Sequence, residues 1–367
     1  MNPLTIDLSL VGIGNDFQVV GFEGEESLFG DYLFSVYILS PNNALELRPF
    51  VNAPAVLTLQ AAGMPERLFS GVVQSATFLG TNPRHSFYCF KIVPPFSLLR
   101  MTRCSRIFHN KPATDIIETV LDGHRITDRS FLTVNSYPDY EFYTQNNISS
   151  YSFLRQIMAE EGIFYYYDHK KTGSTMIIQD AGMPFTASGI TLRHGYSGSD
   201  RFRPDEVDAC SLEHRVVPSR LVTIPLHTHN MLRMPATTTS GADYDLPYEW
   251  TKGSASSVEH LEAMNDQRQA SFESSAVVLR ARSFCPNVCP GYTLQLAGSA
   301  REDIKGGFTV KRVRHRIGKQ GYSNDFAAFP ADSRYVPLLP DDQMDFEDNQ
   351  ITPLGEMLNY IRHLQDA

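Results

Sequence analysis

Three short groups of side chains have types and spacing that could do chemistry. Glu160 and Glu161 are adjacent carboxylates followed by Gly162. A general acid/base pair needs both groups to converge on one bond, whereas neighbours at a helix end point in different directions, so a structural role is expected. His227 and His229 have the spacing that puts two imidazoles on one face of a strand, where they could ligate a metal. No third ligand follows at a suitable distance, and Cys210 with His214 is a separate possibility, so these read as surface or packing residues. Cys285 and Cys289 have three residues between them, not the two of a zinc knuckle or a thioredoxin-like motif, and read as a buried thiol pair.

The chain has no G-x-S-x-G elbow, no P-loop and no H-E-x-x-H. The usual hydrolase, nucleotide and zinc-protease chemistries therefore lack their minimum parts. The expectation is a structural protein with no catalytic, cofactor or metal site. The alternative from another class is a cell-wall or glycan hydrolase using dispersed carboxylates such as Asp139 and Glu141.

Two further groups suit interaction. Arg312, Arg314 and Arg316 fall on one face of a strand, with Val313 and Ile317 on the other. A row of arginines cannot be buried unpaired, so that face is either solvated or meets acidic groups. Near the C-terminus the acidic run Asp341, Asp342, Asp345, Glu347 and Asp348 precedes Leu354, Met357, Leu358, Ile361 and Leu364 at helical spacing. Such an apolar stripe needs a partner surface.

The elements that must position these groups are mostly strands. From Leu4 to Arg100, short alternating or apolar segments such as Phe17–Phe22, Tyr32–Ser40, Ala55–Gln60, Gly71–Gly80 and Phe87–Val93 are separated by Gly, Pro and Asn. Pro112-Ala113-Thr114-Asp115 then opens a helix carrying Ile116, Ile117, Val120 and Leu121 on one face and ended by Gly123. A second helix starts near Ser149 or Ser150, groups Phe153, Leu154, Ile157 and Met158, and stops at Gly162. Ile163–Tyr167, a turn at Lys171-Thr172-Gly173 and Thr175–Ile178 read as a hairpin. The Thr/Ser/Gly/Ala stretch between Pro235 and Asp245 offers nothing to bury and reads as a mobile loop. Ser256-Ser257-Val258-Glu259 reads as a capping box for a helix to about Ser274, and Phe308–Ile317 as the last strong strand.

The expected organisation is a first β-barrel domain over 1–100, an α+β segment over 101–180, a second β-barrel domain over 181–340 with a helical insertion at about 254–274, and an acidic connector with an amphipathic helix over 341–367. The fold class is mainly β, within α+β. With 367 residues the chain can bury a core in each domain. Its net charge of -9 argues against a surface that tracks phosphates, so nucleic acid is not an expected partner. Five cysteines, an odd number without metal spacing, suit reduced cytoplasmic thiols. Met1–Leu10 lacks a basic start followed by an apolar run, and no segment reaches the roughly 18 apolar residues of a membrane span, so neither a signal peptide nor membrane insertion is expected.

Three blocks carry a resemblance. Phe17–Leu28 holds a strand and an acidic turn, Arg106-Ile107-Phe108-His109-Asn110-Lys111 leads to Asp115-Ile116-Ile117, and Tyr143-Thr144-Gln145 is followed by Phe153-Leu154-Arg155-Gln156-Ile157 and Glu160–Tyr165. In order and spacing these blocks resemble the VgrG family, the spike proteins of type VI secretion, and the related tail-hub proteins of contractile phages. The resemblance covers about residues 15 to 340. Asn146–Ser150 is uncharged where the family usually carries an acidic pair. The glycine-rich and F-x-W-D signatures of the domain and needle that follow the hub in full-length members are missing, so the chain is expected to be either a shortened form or a naturally needle-less one.

The resemblance implies a phage tail-hub-like fold with two antiparallel, tube-type barrels per chain, three chains forming a ring that seats on a hexameric tube protein. It implies a homotrimer that carries effectors or a tip protein and leaves the cytoplasm through the injection apparatus. The arginine face would line the bore of the ring or meet an acidic surface of the next subunit. A prophage baseplate hub shares the fold and is the nearest alternative.

Overall fold

The computed structural model describes residues 5–10, 17–60, 63–194, 203–225, 236–240, 244–252, 257–299, 301–318 and 321–338. Its first six strands are β1 (Thr5–Leu10), β2 (Gln18–Ser27), β3 (Leu33–Ser40), β4 (Pro54–Gln60), β5 (Arg67–Thr81) and β6 (Ser86–Val93). Period-two alternation turns Leu57 and Leu59, Phe34, Val36 and Ile38, and Phe90 and Ile92 to one buried side. These strands pair antiparallel in the order β1-β4-β5-β6-β3-β2. The acidic residues Glu23, Glu25 and Glu26 belong to β2 itself; they do not form the turn expected after a shorter strand. The pairing with β3 and a second neighbour carries β2 on to Ser27, past the point where its apolar residues stop.

The middle of the chain contributes β7 (Cys104–Lys111), α1 (Ala113–Gly123), β8 (Arg129–Leu132), β9 (Tyr140–Ile148), α2 (Ser150–Glu160), β10 (Ile163–Lys170) and β11 (Gly173–Asp180). In α1 the i, i+3/i+4 spacing buries Ile116, Ile117, Val120 and Leu121 on one stripe. Ser149 caps α2 by accepting from Ser152 N at 3.0 Å. β10 and β11 form the expected hairpin, with Lys170 opposite Gly173, which already belongs to β11. These apolar faces join the first sheet in a single core that includes Phe153, Leu154, Phe164 and Tyr165.

The rest comprises β12 (Thr186–His194), β13 (Glu206–His214), β14 (Arg220–Pro225), β15 (Ala236–Thr239), β16 (Pro247–Lys252), α3 (Val258–Glu273), β17 (Val277–Ser283), β18 (Tyr292–Ala297), β19 (Gly306–Gly318) and β20 (Gly321–Pro330). Six of these run β19-β18-β12-β13-β17-β20, and β20 returns to pair with β19, which closes a barrel. Its core holds Leu192, Leu279, Leu294, Phe308, Val313 and Phe326. All its pairings are antiparallel except those of β12, which runs parallel to both β13 and β18. β20 lies beyond the last strand that reads as strong in the sequence; the polar Asn324, buried at an inward position, interrupts its apolar alternation and weakens the signal.

Between β13 and β17, a small sheet β15-β14-β16 packs on α3. Part of the expected loop is therefore a strand: Ala236–Thr239 pairs with Arg220–Thr223, and Thr238 and Thr223 hydrogen-bond Asn265 of α3 instead of burying apolar surface. The helix is capped one residue later than its apparent box, by Ser257 accepting from His260 N at 3.1 Å.

Candidate functional site

The two halves share one sheet across a seam. β2 pairs antiparallel with β19, from Ser27 opposite Arg312 to Phe22 opposite Ile317, so the sheet of the first half runs unbroken into the barrel of the second. Alternation then gives the shared sheet two faces of different chemistry at this seam.

The outer face carries Glu23 and Glu25 of β2, Arg312, Arg314 and Arg316 of β19, Asp325 of β20, and Arg280 and Arg282 of β17. Register places Glu25, Arg314, Asp325 and Arg282 side by side across four strands, so the signs alternate along one row. Arg314 donates from Nη2 to Glu25 Oε2 at 3.0 Å, Arg312 lies 2.6 Å from Glu25 Oε1, and Arg282 Nε donates to Asp325 Oδ1 at 3.1 Å. Arg316 lies opposite Glu23, which accepts from the Tyr37 hydroxyl at 2.8 Å. The arginine row is thus half-buried against acidic groups of its own chain. Pairs this exposed contribute only about 0–1 kcal/mol each, so the ladder sets the character of the face more than its stability. A cleft of about 380 Å³ lies among Arg280, Arg282, Arg312 and Arg314.

On the reverse side Glu26 and His315 point into the interior, both buried. Glu26 accepts on Oε1 from Arg67 of β5 and from His315 Nε2 at 2.8 Å, and on Oε2 from His169 Nε2 of β10 at 3.2 Å. The donors fix the protons. Asn324 Nδ2 donates to Cys285 O at 2.7 Å and to the Tyr322 hydroxyl at 2.9 Å, while its Oδ1 accepts from Ser283 Oγ at 2.8 Å. The Tyr322 proton then goes to His315 Nδ1 at 2.6 Å, leaving the proton of that ring on Nε2, toward Glu26. In the same way Ser70 N donates to His169 Nδ1 at 3.0 Å, which leaves its Nε2–H for Glu26.

Burial pushes the Glu26 carboxyl up, but the Arg67 guanidinium and the two imidazole donors outweigh it and hold the group well below the usual carboxylate range. Burial, aided by Arg67, lowers the His315 pKa against the opposing pull of Glu26. The cluster therefore holds one anion, one cation and two neutral imidazoles. It ties β2, β5, β10, β19 and β20 together and acts as an interlock.

Glu160 and Glu161 are both buried, and each receives a tyrosine hydroxyl, Tyr143 at 2.8 Å for Glu160 and Tyr140 for Glu161; His260 Nε2 of α3 adds a contact to Glu161 at 3.1 Å. Cys285 is buried and Cys289 half-buried; burial raises both thiols, Cys289 to about 12. They line a second cleft of about 570 Å³ between the halves, together with Arg67 and Asp168. Asp139 and Glu141 are exposed on either side of buried Tyr140 and line neither cleft. Among the described residues no three His, Cys, Asp or Glu side chains gather as a metal site would need. His227 and His229, and the stripe Leu354, Met357, Leu358 and Ile361, lie outside the described residues.

Sequence reasoning missed the Glu26 cluster. The available signal is the alternation itself: Glu26 sits four residues after buried Phe22, and His315 sits between two outward arginines, so each is a titratable group at a core position.

The profile of the phage tail baseplate hub family (GPD) matches residues 25–321. The type VI secretion system spike protein VgrG1b of Pseudomonas aeruginosa is 23% identical over 316 residues, which is 83% of this chain and 42% of that protein. The chain thus spans less than half the length of this relative. In fold it is similar to the E. coli c3393 protein, a component of the type VI secretion system with structural similarity to the T4 tail proteins gp27 and gp5, at a TM-score of 0.70 and 18% identity over 91% of this chain and 80% of that one. It is also similar to the 43 kDa tail protein of prophage MuSo2 from Shewanella oneidensis, at a TM-score of 0.67 and 12% identity over 90% of this chain and 99% of the other.

Proposed function

The chain belongs to the phage tail baseplate hub (GPD) family, and from that membership we propose that it is the structural hub of a trimeric puncturing spike in a type VI contractile injection apparatus. The observation that carries the reading is the β2–β19 seam, which joins a six-stranded sheet and a six-stranded barrel in one continuous sheet. Three such bodies in a ring present six β-units, the number needed to seat on a hexameric tube. The charged outer face suits the wall of a bore through which other chains pass, and Arg312, Arg314 and Arg316 would lie on that wall.

Closing such a ring requires heterologous contacts, in which each copy offers different patches on its two sides. Among the described residues β1 ends the first sheet with an edge that a neighbouring copy can cover. An obligate interface of this kind buries on the order of 2,000 Å². The work is mechanical, with no substrate turned over. Effectors or a tip protein are the expected cargo, with Leu354, Met357, Leu358 and Ile361 as the contact offered to them, and the apparatus itself carries the hub out of the cell.

Light scattering and native mass spectrometry of the chain test the assembly. Three chain masses are expected; a monomer at high concentration would overturn the reading. A prophage baseplate hub is the second reading, supported by the fold match along nearly all of the Shewanella prophage tail protein. Purified tail particles containing this chain would decide for it.

A further inference from the structure

Cys104 differs from the other four cysteines. Burial raises the thiols of Cys89, Cys210, Cys285 and Cys289, the first and last to about 12. Cys104 is half-buried at the start of β7, opposite Ile148 and next to the first residue of α2. Arg106 donates to its sulfur with two nitrogens of one guanidinium, Nε at 3.2 Å and Nη2 at 3.1 Å. Ser150 Oγ lies 3.7 Å from the sulfur and 3.0 Å from His124 Nε2. Arg106 Nη2 also reaches Ser150 Oγ at 3.3 Å and His124 Nε2 at 3.4 Å. A guanidinium only donates, so His124 Nε2 is an acceptor and the imidazole is neutral. Burial, then Arg106, lowers its pKa in agreement.

A second observation points to a ligand. Gln145, fully buried and opposite Arg106 in the register, hydrogen-bonds at the Cys104 sulfur and donates from Nε2 to Ile148 O at 2.9 Å, while its Oε1 has no hydrogen-bond partner. A buried amide oxygen without a donor beside a half-exposed sulfur is an acceptor held ready for an incoming N–H.

The geometry points to Cys104 as a reactive thiolate that exchanges with small anionic disulfides bearing amide N–H groups, with Arg106 holding the sulfur and Gln145 Oε1 receiving the incoming N–H. The Cys104 thiol gives its proton to water, and the thiolate so formed attacks one sulfur of the disulfide. A new S–S bond joins Cys104 to that half, the old S–S bond breaks, and the other half leaves as a thiolate that takes a proton from water. The disulfide is the only oxidant required. Burial pushes the Cys104 thiol up, but the hydrogen bonds from Arg106 and Ser150 and the charge of Arg106 outweigh it and lower the group. This inference stands on the β7–α2 junction alone and does not depend on the hub reading.

Glutathione disulfide is the probe. The folded chain incubated with it at pH 7 is expected to gain one glutathione, mapped by peptide mass to Cys104, before any other cysteine reacts. Iodoacetate should gain on iodoacetamide at Cys104 relative to a free cysteine, because the guanidinium favours the anion. Arg106→Gln should slow the exchange about threefold or more, since each tenfold loss of thiolate is partly offset by the higher nucleophilicity of a more basic sulfur. Arg106→Lys should recover part of the rate. First labelling at another cysteine, or an unchanged rate in a folded Arg106→Gln chain, overturns the proposal. Should that variant fail to fold, the wild-type pH profile decides: a Cys104 rate that climbs from pH 7 to 9 as steeply as that of a free cysteine overturns it, and a flatter one supports it.

Discussion

His315 of β19 holds Glu26 of β2 through Nε2 at 2.8 Å while its Nδ1 accepts from Tyr322 at 2.6 Å, so one imidazole joins the two halves of the molecule across the sheet that unites them. The ring is fully buried and packs edge-on to Phe69 with centroids 5.0 Å apart. Its neutral form is the one these partners accept. Proton balance at this position is therefore coupled to the joint between halves.

Stability should fall as the solution is acidified. The pKa of His315 is lowered in the fold from its ordinary 6.5. The unfolded chain therefore binds the proton first, and stability is complete above that value and declines as pH drops through it toward the folded pKa. Arg67 faces the same carboxylate and adds to the cost of a further positive charge. Thermal unfolding followed from pH 7.5 to 5.5 should show the decline, and His315→Gln should flatten it while lowering the midpoint throughout. An unchanged slope in the variant would refute the assignment.

Glu26→Gln leaves the Arg67 guanidinium buried without its counter-charge. Breaking a buried pair in this way costs roughly 3–5 kcal/mol. Urea unfolding at pH 7 measures it; a loss under about 1 kcal/mol would mean that Arg67 finds water or another partner, as no interlock would allow.

Gly24 allows the closest approach in the first sheet. A Cβ placed there would lie 2.3 Å from Phe34 Cδ1 and 2.9 Å from Leu33 O. The carbonyl belongs to the paired strand and cannot move away cheaply, so Gly24→Ala should cost about 1–3 kcal/mol. A neutral result in the same urea assay would show that β2 and β3 sit farther apart.

Arg312→Ala with Arg314→Ala tests the placement of the charged face. Both side chains are partly exposed and share Glu25, so their loss should change stability by about 1 kcal/mol or less per residue. A face that lines a bore makes no contact between subunits, so the oligomer mass in solution should be unchanged. Dissociation of the variant would instead assign this row to the contact with the next copy.

Much of the fold can be read from alternation and caps. The stripe Ile116, Ile117, Val120 and Leu121 and the cap Ser149 specify α1 and α2 because both signals are local. β15 escapes because Ala236–Thr239 has no apolar face and is held by the hydroxyls and amide of Thr223, Thr238 and Asn265, partners remote in sequence. The arginine row is legible as a face, but its acidic partner Glu25 lies 289 positions away, and no local spacing announces it. Glu26, Arg67, His169 and His315 are farther still from recognition: Glu26 and His315 stand among other charged residues of their strands, and only the closed sheet brings the four together.

The seam between β2 and β19 also governs how the chain can be born. Until Gly306 and the residues after it leave the ribosome, β2 has a bare margin and Glu26 lacks the imidazole of His315. Translation at about 5–20 residues per second leaves that margin waiting for tens of seconds or less. During that interval the nascent first half is a template for mispairing, and native contacts so distant in sequence form slowly. Chaperone occupancy on the stalled N-terminal half, released once β19 is made, is the behaviour this architecture imposes.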